Sequence, residues 1–296
     1  MLRSQFLLHI GRRWLSSSPN WNAASIRQLR DLTGAPVMEC KKALERCDGK
    51  LDAALGLLSS YAETVMRKKA QRSTRSGLIA LEVAPDQRCG AMVEIRSETD
   101  FVHQLPVVQR VSQRGLELLL RGAVTNVQEL LEALRDELRE AVAKTDENLT
   151  VHRGIRLQVP DTFRDGRIYS YLHNHARVGV LVACSAPSPL GRQVAMHIAA
   201  MNPQYVSAAD IEPSVYESLM PAEDEAFRAP RQLGAANASP PQRRSVKFEA
   251  FIAERCLLDQ VLVTDSADER SRSRQRTVRE AIGPGISVLA FERFAL

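Results

Sequence analysis

The sequence predicts an α+β protein: a small three-helix N-terminal unit, then a core of two similar α+β subdomains with antiparallel sheets. Three observations predict it. Apolar residues first recur at helical spacing, with Leu51, Ala54, Leu55 and Leu58 as an i, i+3, i+4, i+7 set. From residue 77 the pattern changes to short apolar runs bounded by turn residues, which is the period of strands. The order strand pair, helices, closing strand then occurs once in each half of the remaining chain, although sequence identity between the halves is low.

The first helix draws its apolar stripe from Ile26, Leu29 and Leu32. Thr33-Gly34-Ala35-Pro36 stops it, because glycine supplies a left-handed cap and proline fits the first turn of the next helix. The second helix offers Met38, Ala43 and Leu44 to a core and Lys41 and Lys42 to solvent. Asp48-Gly49 turns the chain into the third helix. A unit this short, residues 21–62, has a small core and suits docking better than catalysis. Residues 63–76 form a basic connector with Arg67, Lys68, Lys69, Arg72 and Arg75, helical at first and then a linker near 73–77.

Residues 77–160 are the first core subdomain. Strands are expected at 78–83 and 91–95 around a turn at 85–90, and a helix from about Asp100 to Leu120. Asn126 caps a further helix that runs to about Lys144, with Glu129 at capping-box spacing. A strand follows at 149–159. Residues 161–296 are the second subdomain, with strands at 168–173, 177–184 and 286–294. Its helices are expected at 191–201 and 246–263, the latter with Phe248, Phe251, Ile252, Cys256 and Leu257 inward. Prolines 213, 221, 230, 240 and 241 exclude a long coiled coil in between and leave a short helix near 214–220 and a surface loop.

The net charge is +5, from 40 basic and 35 acidic residues. Arg3, Arg12 and Arg13 supply three of those charges within residues 1–20, a Ser-rich segment that precedes the first carboxylate, Asp31. Phe6, Leu7, Ile10 and Trp14 can share one helical face there. This is the pattern of an organelle-import segment, a transit peptide occupying 1–20, rather than a secretory signal. Five scattered cysteines without CxxC spacing fit a reducing compartment and no zinc site. The mitochondrial matrix satisfies both readings. No stretch approaches the ~18 uncharged apolar residues of a membrane span.

No phosphate loop, dinucleotide fingerprint, nucleophile elbow or HExxH occurs, so direct nucleotide binding and an enzyme are not expected. No cofactor or metal is expected. His173 and His175 would share one face of a strand but lack a third ligand, His197 reads as a structural histidine, and Glu94 and Glu98 have no supporting acid–base partner. The arginines at 270, 272, 274, 276 and 279 carry no interleaved aromatics, and aromatic content is only 5%, which argues against nucleic acid and for a solvated face.

Two segments are far more specific. One is Thr33-Gly34-Ala35-Pro36-Val37-Met38-Glu39-Cys40-Lys41-Lys42-Ala43-Leu44, and the other is Thr99-Asp100-Phe101-Val102, placed just after a strand. In the expected order there follow Tyr171-Leu172-His173 with Arg177-Val178-Gly179-Val180-Leu181-Val182, then Ala195-Met196-His197-Ile198-Ala199-Ala200 with Pro203, and a closing strand at 288–294. Together these resemble the elongation factor Ts family, the guanine-nucleotide exchange factors of elongation factor Tu, over roughly residues 22–296. The resemblance implies a ubiquitin-associated-like fold for the N-terminal unit, and a function exerted by binding, with no covalent chemistry.

It also implies site residues. Thr99, Asp100, Phe101 and Val102 would wedge into Tu and disturb its Mg²⁺ site, with Phe101 as the apolar wedge, Asp100 as an acceptor and Thr99 capping the following helix. Thr33, Gly34, Val37 and Met38 would dock the N-terminal unit, and His173 would contact Tu from the core. The partner would be mitochondrial elongation factor Tu in its GDP-bound and nucleotide-free states. The family often has Gly-Glu-Asn where this chain has Asp146-Glu147-Asn148, and Gln-Pro-Phe where it has Gln260-Val261-Leu262. Bacterial members carry a coiled-coil insertion in the second half that the proline-bearing loop here cannot hold, which resembles the organellar branch. The alternative is a non-enzymatic docking module for another helical or ubiquitin-like partner.

Overall fold

The structure is a computed structural model that describes residues 20–215, 246–263 and 276–296. Residues 1–19 of the predicted import segment (1–20), most of the predicted 214–220 helix, the loop to 245 and arginines 270, 272 and 274 lie outside the described residues.

Helix α1 (Ala23–Thr33) opens on Asn22 in a capping box with Ser25 and closes at Gly34, where φ is +68°. That left-handed angle suits glycine because it has no Cβ to clash. Helix α2 (Val37–Arg46) follows Pro36, which is its N-cap rather than a residue of its first turn. Helix α3 (Leu51–Lys69) continues through the start of the basic connector. Leu29, Cys40, Leu44, Ala54 and Leu58 fill the core of the unit. Leu32 does not join them and is 60% exposed. Steps of three residues fall about 60° short of a full turn, so a second such step from Ile26 has rotated off the buried face.

Strands β1 (Ser76–Val83), β2 (Cys89–Ser97) and β3 (Leu149–Gln158) make one three-stranded sheet, and β4 (Arg167–His173), β5 (Val178–Cys184) and β6 (Val288–Ala295) make another. Both are fully antiparallel with the middle-numbered strand central. The sheets pack face to face through Ile79, Met92, Ile168, Leu181, Ala183 and Phe294. The outer face of β2 buries Ala91, Val93 and Ile95 under α4 (Pro106–Leu120), α5 (Val127–Ala133) and α6 (Arg135–Thr145). The outer face of β5 buries Val180, Val182 and Cys184 under α7 (Gly191–Met201). Helix α8 (Val246–Arg255) adds a satellite cluster, and α9 (Val278–Ile282) completes the second helical layer. The layers therefore run helices, sheet, sheet, helices.

Burial on both faces explains why β2 and β5 read as apolar runs rather than alternating strands. Close approach of the sheets depends on a reciprocal pair of glycines. A Cβ on Gly90 would lie 3.1 Å from Leu181 Cδ2, and one on Gly179 would lie 2.6 Å from Ile79 Cγ2 and 2.8 Å from Met92 Sδ.

Three helices differ from expectation. The stretch from Asp100 is a 3₁₀ turn, Phe101–Gln104, and α4 starts only at Pro106. Leu105 precedes a proline and is extended, so the helix cannot run through it, whereas Pro106 fits N1 well. The helix capped by Asn126 breaks at Leu134 into α5 and α6. Its capping box is also incomplete, because the Glu129 carboxylate accepts from Thr125 N–H rather than from Asn126. The last predicted helix ends at Arg255, followed by a 3₁₀ turn at Leu257–Asp259. Among the described residues no helix is long and apolar enough to cross a membrane.

Candidate partner-binding site

Strand β2 ends at Ser97, and the chain crosses to α4 through a short exposed tip. Phe101 stands at its apex with 83% of its surface exposed, against 5% for its neighbour Val102. The two adjacent side chains thus have opposite tasks. Val102 anchors the tip in the first subdomain's core, so it does not offer a contact surface, while Phe101 is held outside it. The Asp100 side chain is exposed and makes no hydrogen bond or salt bridge among the described residues; it does not cap the 3₁₀ turn.

The backbone beneath Phe101 is tied on two sides. Ser97 Oγ donates to Thr99 O (2.6 Å) and so is left to accept from His103 Nε2 (2.7 Å). Burial holds the His103 pKa below its ordinary value, which favours the neutral ring. On the other side Thr99 does not cap a helix as expected. Its N–H and hydroxyl both donate to Glu147, at 2.9 and 2.5 Å. The neighbouring Glu98 accepts from Asn148 N–H (2.7 Å) and from Arg72 (3.3 Å), and these donors lower its pKa.

The N-terminal edge divides in a similar way. Thr33 Oγ1 donates to Leu29 O (2.6 Å) and accepts from Ala35 N–H (3.3 Å), so it closes the turn between α1 and α2. Gly34 packs beside Lys144 of α6, whose Cγ would be 3.3 Å from an added Cβ. Val37 and Met38 are the exposed members of the set, and Leu32 on α1 is exposed as well. A cleft of about 340 Å³ separates this unit from α6, lined by Leu32, Pro36, Leu58, Met66 and Arg139 among others.

His173 is exposed at the end of β4, stacked on Tyr171 with a 2.9 Å contact between its Nδ1 and the Tyr171 hydroxyl. The strand stops there, and Asn174, His175 and Ala176 all take positive φ in the turn, so His175 does not share its face. Among the described residues no group of three potential metal ligands occurs. Glu94 and Glu98 are not a pair either. Glu94 is fully buried and paired with Arg96 and with Arg153 Nε (2.6 Å), a structural arrangement. His197 is structural as expected, with Nε2 on Gln260 Oε1 (2.8 Å) and Nδ1 accepting from Val263 N–H (3.2 Å).

Comparison with known proteins follows this geometry. A family model described as Elongation factor TS matches residues 98–296, from the residue before Thr99 to the end of β6 and beyond. The chain is 33% identical over 290 residues to an elongation factor Ts of Clostridium perfringens, covering 92% of this chain and 91% of the relative. It is 33% identical over 301 residues to that of Beijerinckia indica, covering 94% and 92%. It is 32% identical over 293 residues to that of a Nitratiruptor species, covering 93% and 92%.

Proposed function

The chain belongs to the elongation factor Ts family and carries that family's elongation-factor role; from this premise we propose that it is the guanine-nucleotide exchange factor for elongation factor Tu in mitochondria. It binds Tu·GDP, disturbs the Mg²⁺ and phosphate site, and leaves Tu open to GTP. No covalent bond in either protein is made or broken. Nucleotide on such a GTPase is held by a phosphate loop and Mg²⁺, so displacing either weakens it. By linkage, a factor that weakens the nucleotide is itself weakened by the nucleotide to the same extent, so incoming GTP ejects it.

The exposed Phe101 on a pinned loop carries this reading. Burying a phenylalanine is worth about 1.5–3 kcal/mol, and the free protein forgoes most of that. A partner pocket that opens only when nucleotide leaves would recover it, and Asp100 beside it would accept from donors uncovered at the same moment. Val37, Met38 and Leu32 would dock the N-terminal unit, and His173 would add a contact from the second subdomain. The mitochondrial assignment is supported by the Arg-bearing, acid-free first twenty residues.

The test is the affinity for Tu measured with and without nucleotide. Tight binding to nucleotide-free Tu that saturating GDP weakens at least about a hundredfold, the upper range of ordinary coupling, is expected. Equal affinity in both conditions would remove exchange as the function.

A further inference from the structure

The elements around the tip place Glu147 in a position that residue type and spacing alone do not reveal. Its two carboxylate oxygens take separate donors of one residue, Oε2 from the Thr99 N–H and Oε1 from the Thr99 hydroxyl. Thr99 lies two residues before Phe101. A carboxylate receiving two donors from one residue fixes both the position and the rotation of that residue, which a single bond does not.

Glu147 is in turn held from both flanks. Asp146 closes α6 with φ at +61°, a conformation that aspartate tolerates better than most side chains. Its carboxylate accepts from Lys69 Nζ at 2.5 Å, and the Lys69 side chain is only 6% exposed. Asn148 is buried, donates its side-chain amide to Arg72 O (2.9 Å) and its backbone N–H to Glu98 (2.7 Å). Lys69 ends α3 and Arg72 follows it, so the 146–148 turn is bound both to the end of the N-terminal unit's long helix and to the tip.

We propose that Glu147 is a positioning residue for exchange: it holds Thr99 so that Phe101 meets Tu already in its working orientation. The proposal rests on the exchange reading above. The energetic logic is pre-organisation, since a tip that must be ordered on contact loses part of its binding energy to that ordering. The loss falls on the step in which Phe101 acts, not on first encounter with Tu.

The test compares the wild-type protein with Glu147→Ala, Glu147→Gln, Thr99→Val and Phe101→Ala. Multiple-turnover GDP release is measured across a range of Tu·GDP concentrations, and amide hydrogen exchange at Thr99 is measured on the free protein. Glu147→Ala is expected to lower kcat about tenfold with KM within about twofold, the sign of a lost positioning contact. Its Thr99 amide should exchange at least about tenfold faster while core amides keep their protection. Glu147→Gln keeps one acceptor oxygen and should fall between the two. Thr99→Val keeps the N–H bond and should also be intermediate, which serves if Glu147→Ala folds poorly. Wild-type kcat in Glu147→Ala, or an unchanged Thr99 amide, would overturn the proposal. Loss of core protection in step with kcat in both Glu147→Ala and Thr99→Val would also overturn it, in favour of a purely structural role. If Phe101→Ala exchanges like wild type, the wedge reading itself has failed, and the Thr99 amide still reports separately whether Glu147 fixes the loop.

Discussion

Strands β2 and β5 occupy the same place in their sheets, and each leads through a short connection into a helix, yet the two connections present opposite surfaces. After β5 the chain is drawn inward. Ser188 is buried and its N–H donates to the Tyr169 hydroxyl at 2.6 Å, and Ser185 exchanges hydrogen bonds with Ser287. After β2 the chain is tied down just as firmly but holds Phe101 out in water. Repetition of the architecture therefore does not repeat the function. A connection that only needs to join a strand to a helix closes on itself, whereas one that spends its hydrogen bonds on keeping an aromatic ring exposed is built for a partner.

The comparison can be broken from either side. The largest effect is expected between the sheets: Leu181→Ala should cost about 2–5 kcal/mol of stability, read by urea unfolding, with exchange per folded molecule unchanged. Asp100→Ala with Phe101→Ala should do the reverse. Truncating an interface anchor costs at least about 2 kcal/mol, so GDP release should slow about thirtyfold. Removing exposed side chains usually changes stability by less than about 0.5 kcal/mol, so the melting temperature should barely move.

A third test concerns His197, on the buried face of the helix that follows the second connection. Burial lowers its pKa below the ordinary 6.5, and Nδ1 can accept from Val263 only while unprotonated. The unfolded chain then binds the proton more readily than the folded one. The histidine's contribution is complete above its unfolded pKa and is lost as pH falls from there through the lower folded value. His197→Ala should cost about 1–3 kcal/mol at neutral pH and flatten the stability profile on the acid side of the ordinary 6.5. The smallest effect is expected at the N-terminal patch. Val37→Ala with Met38→Ala should weaken Tu docking by roughly tenfold, about 1.4 kcal/mol, raising KM and leaving kcat alone. In cells, deletion of residues 1–20 should abolish import without altering exchange in vitro, and matrix localisation of the shortened chain would refute the transit-peptide proposal.

Periodicity made most of the fold legible. The three N-terminal helices, the strand pairs and the doubled order of elements follow from apolar spacing, because each of these elements buries one well-defined face or two. Spacing misplaced Leu32, whose three-residue steps drift around the helix, and it missed the break before Pro106, where the residue preceding proline overrides an otherwise helical run. The tip motif was legible as residue types, but not the division of labour within it. Nothing in the order Thr-Asp-Phe-Val tells that Val102 goes in and Phe101 stays out. Glu147 was less legible still, since its partner lies forty-eight positions away and meets it only through the pairing of β2 with β3. The departures from the family pattern have local reasons. Asp146 takes a left-handed position suited to glycine and gains Lys69, while Val261 is exposed and Leu262 buried, so neither disturbs Gln260 on His197.

The most direct test of the account is release of a fluorescent GDP analogue from organellar elongation factor Tu. The protein, started at Trp21, is added below stoichiometry beside its Asp100→Ala, Phe101→Ala variant. The account predicts fast multiple-turnover release with the wild-type protein and release about thirtyfold slower with the folded variant. Equal release by the two would contradict the assignment of Phe101 and Asp100, and spontaneous rates from both, with Tu shown competent, would contradict exchange itself.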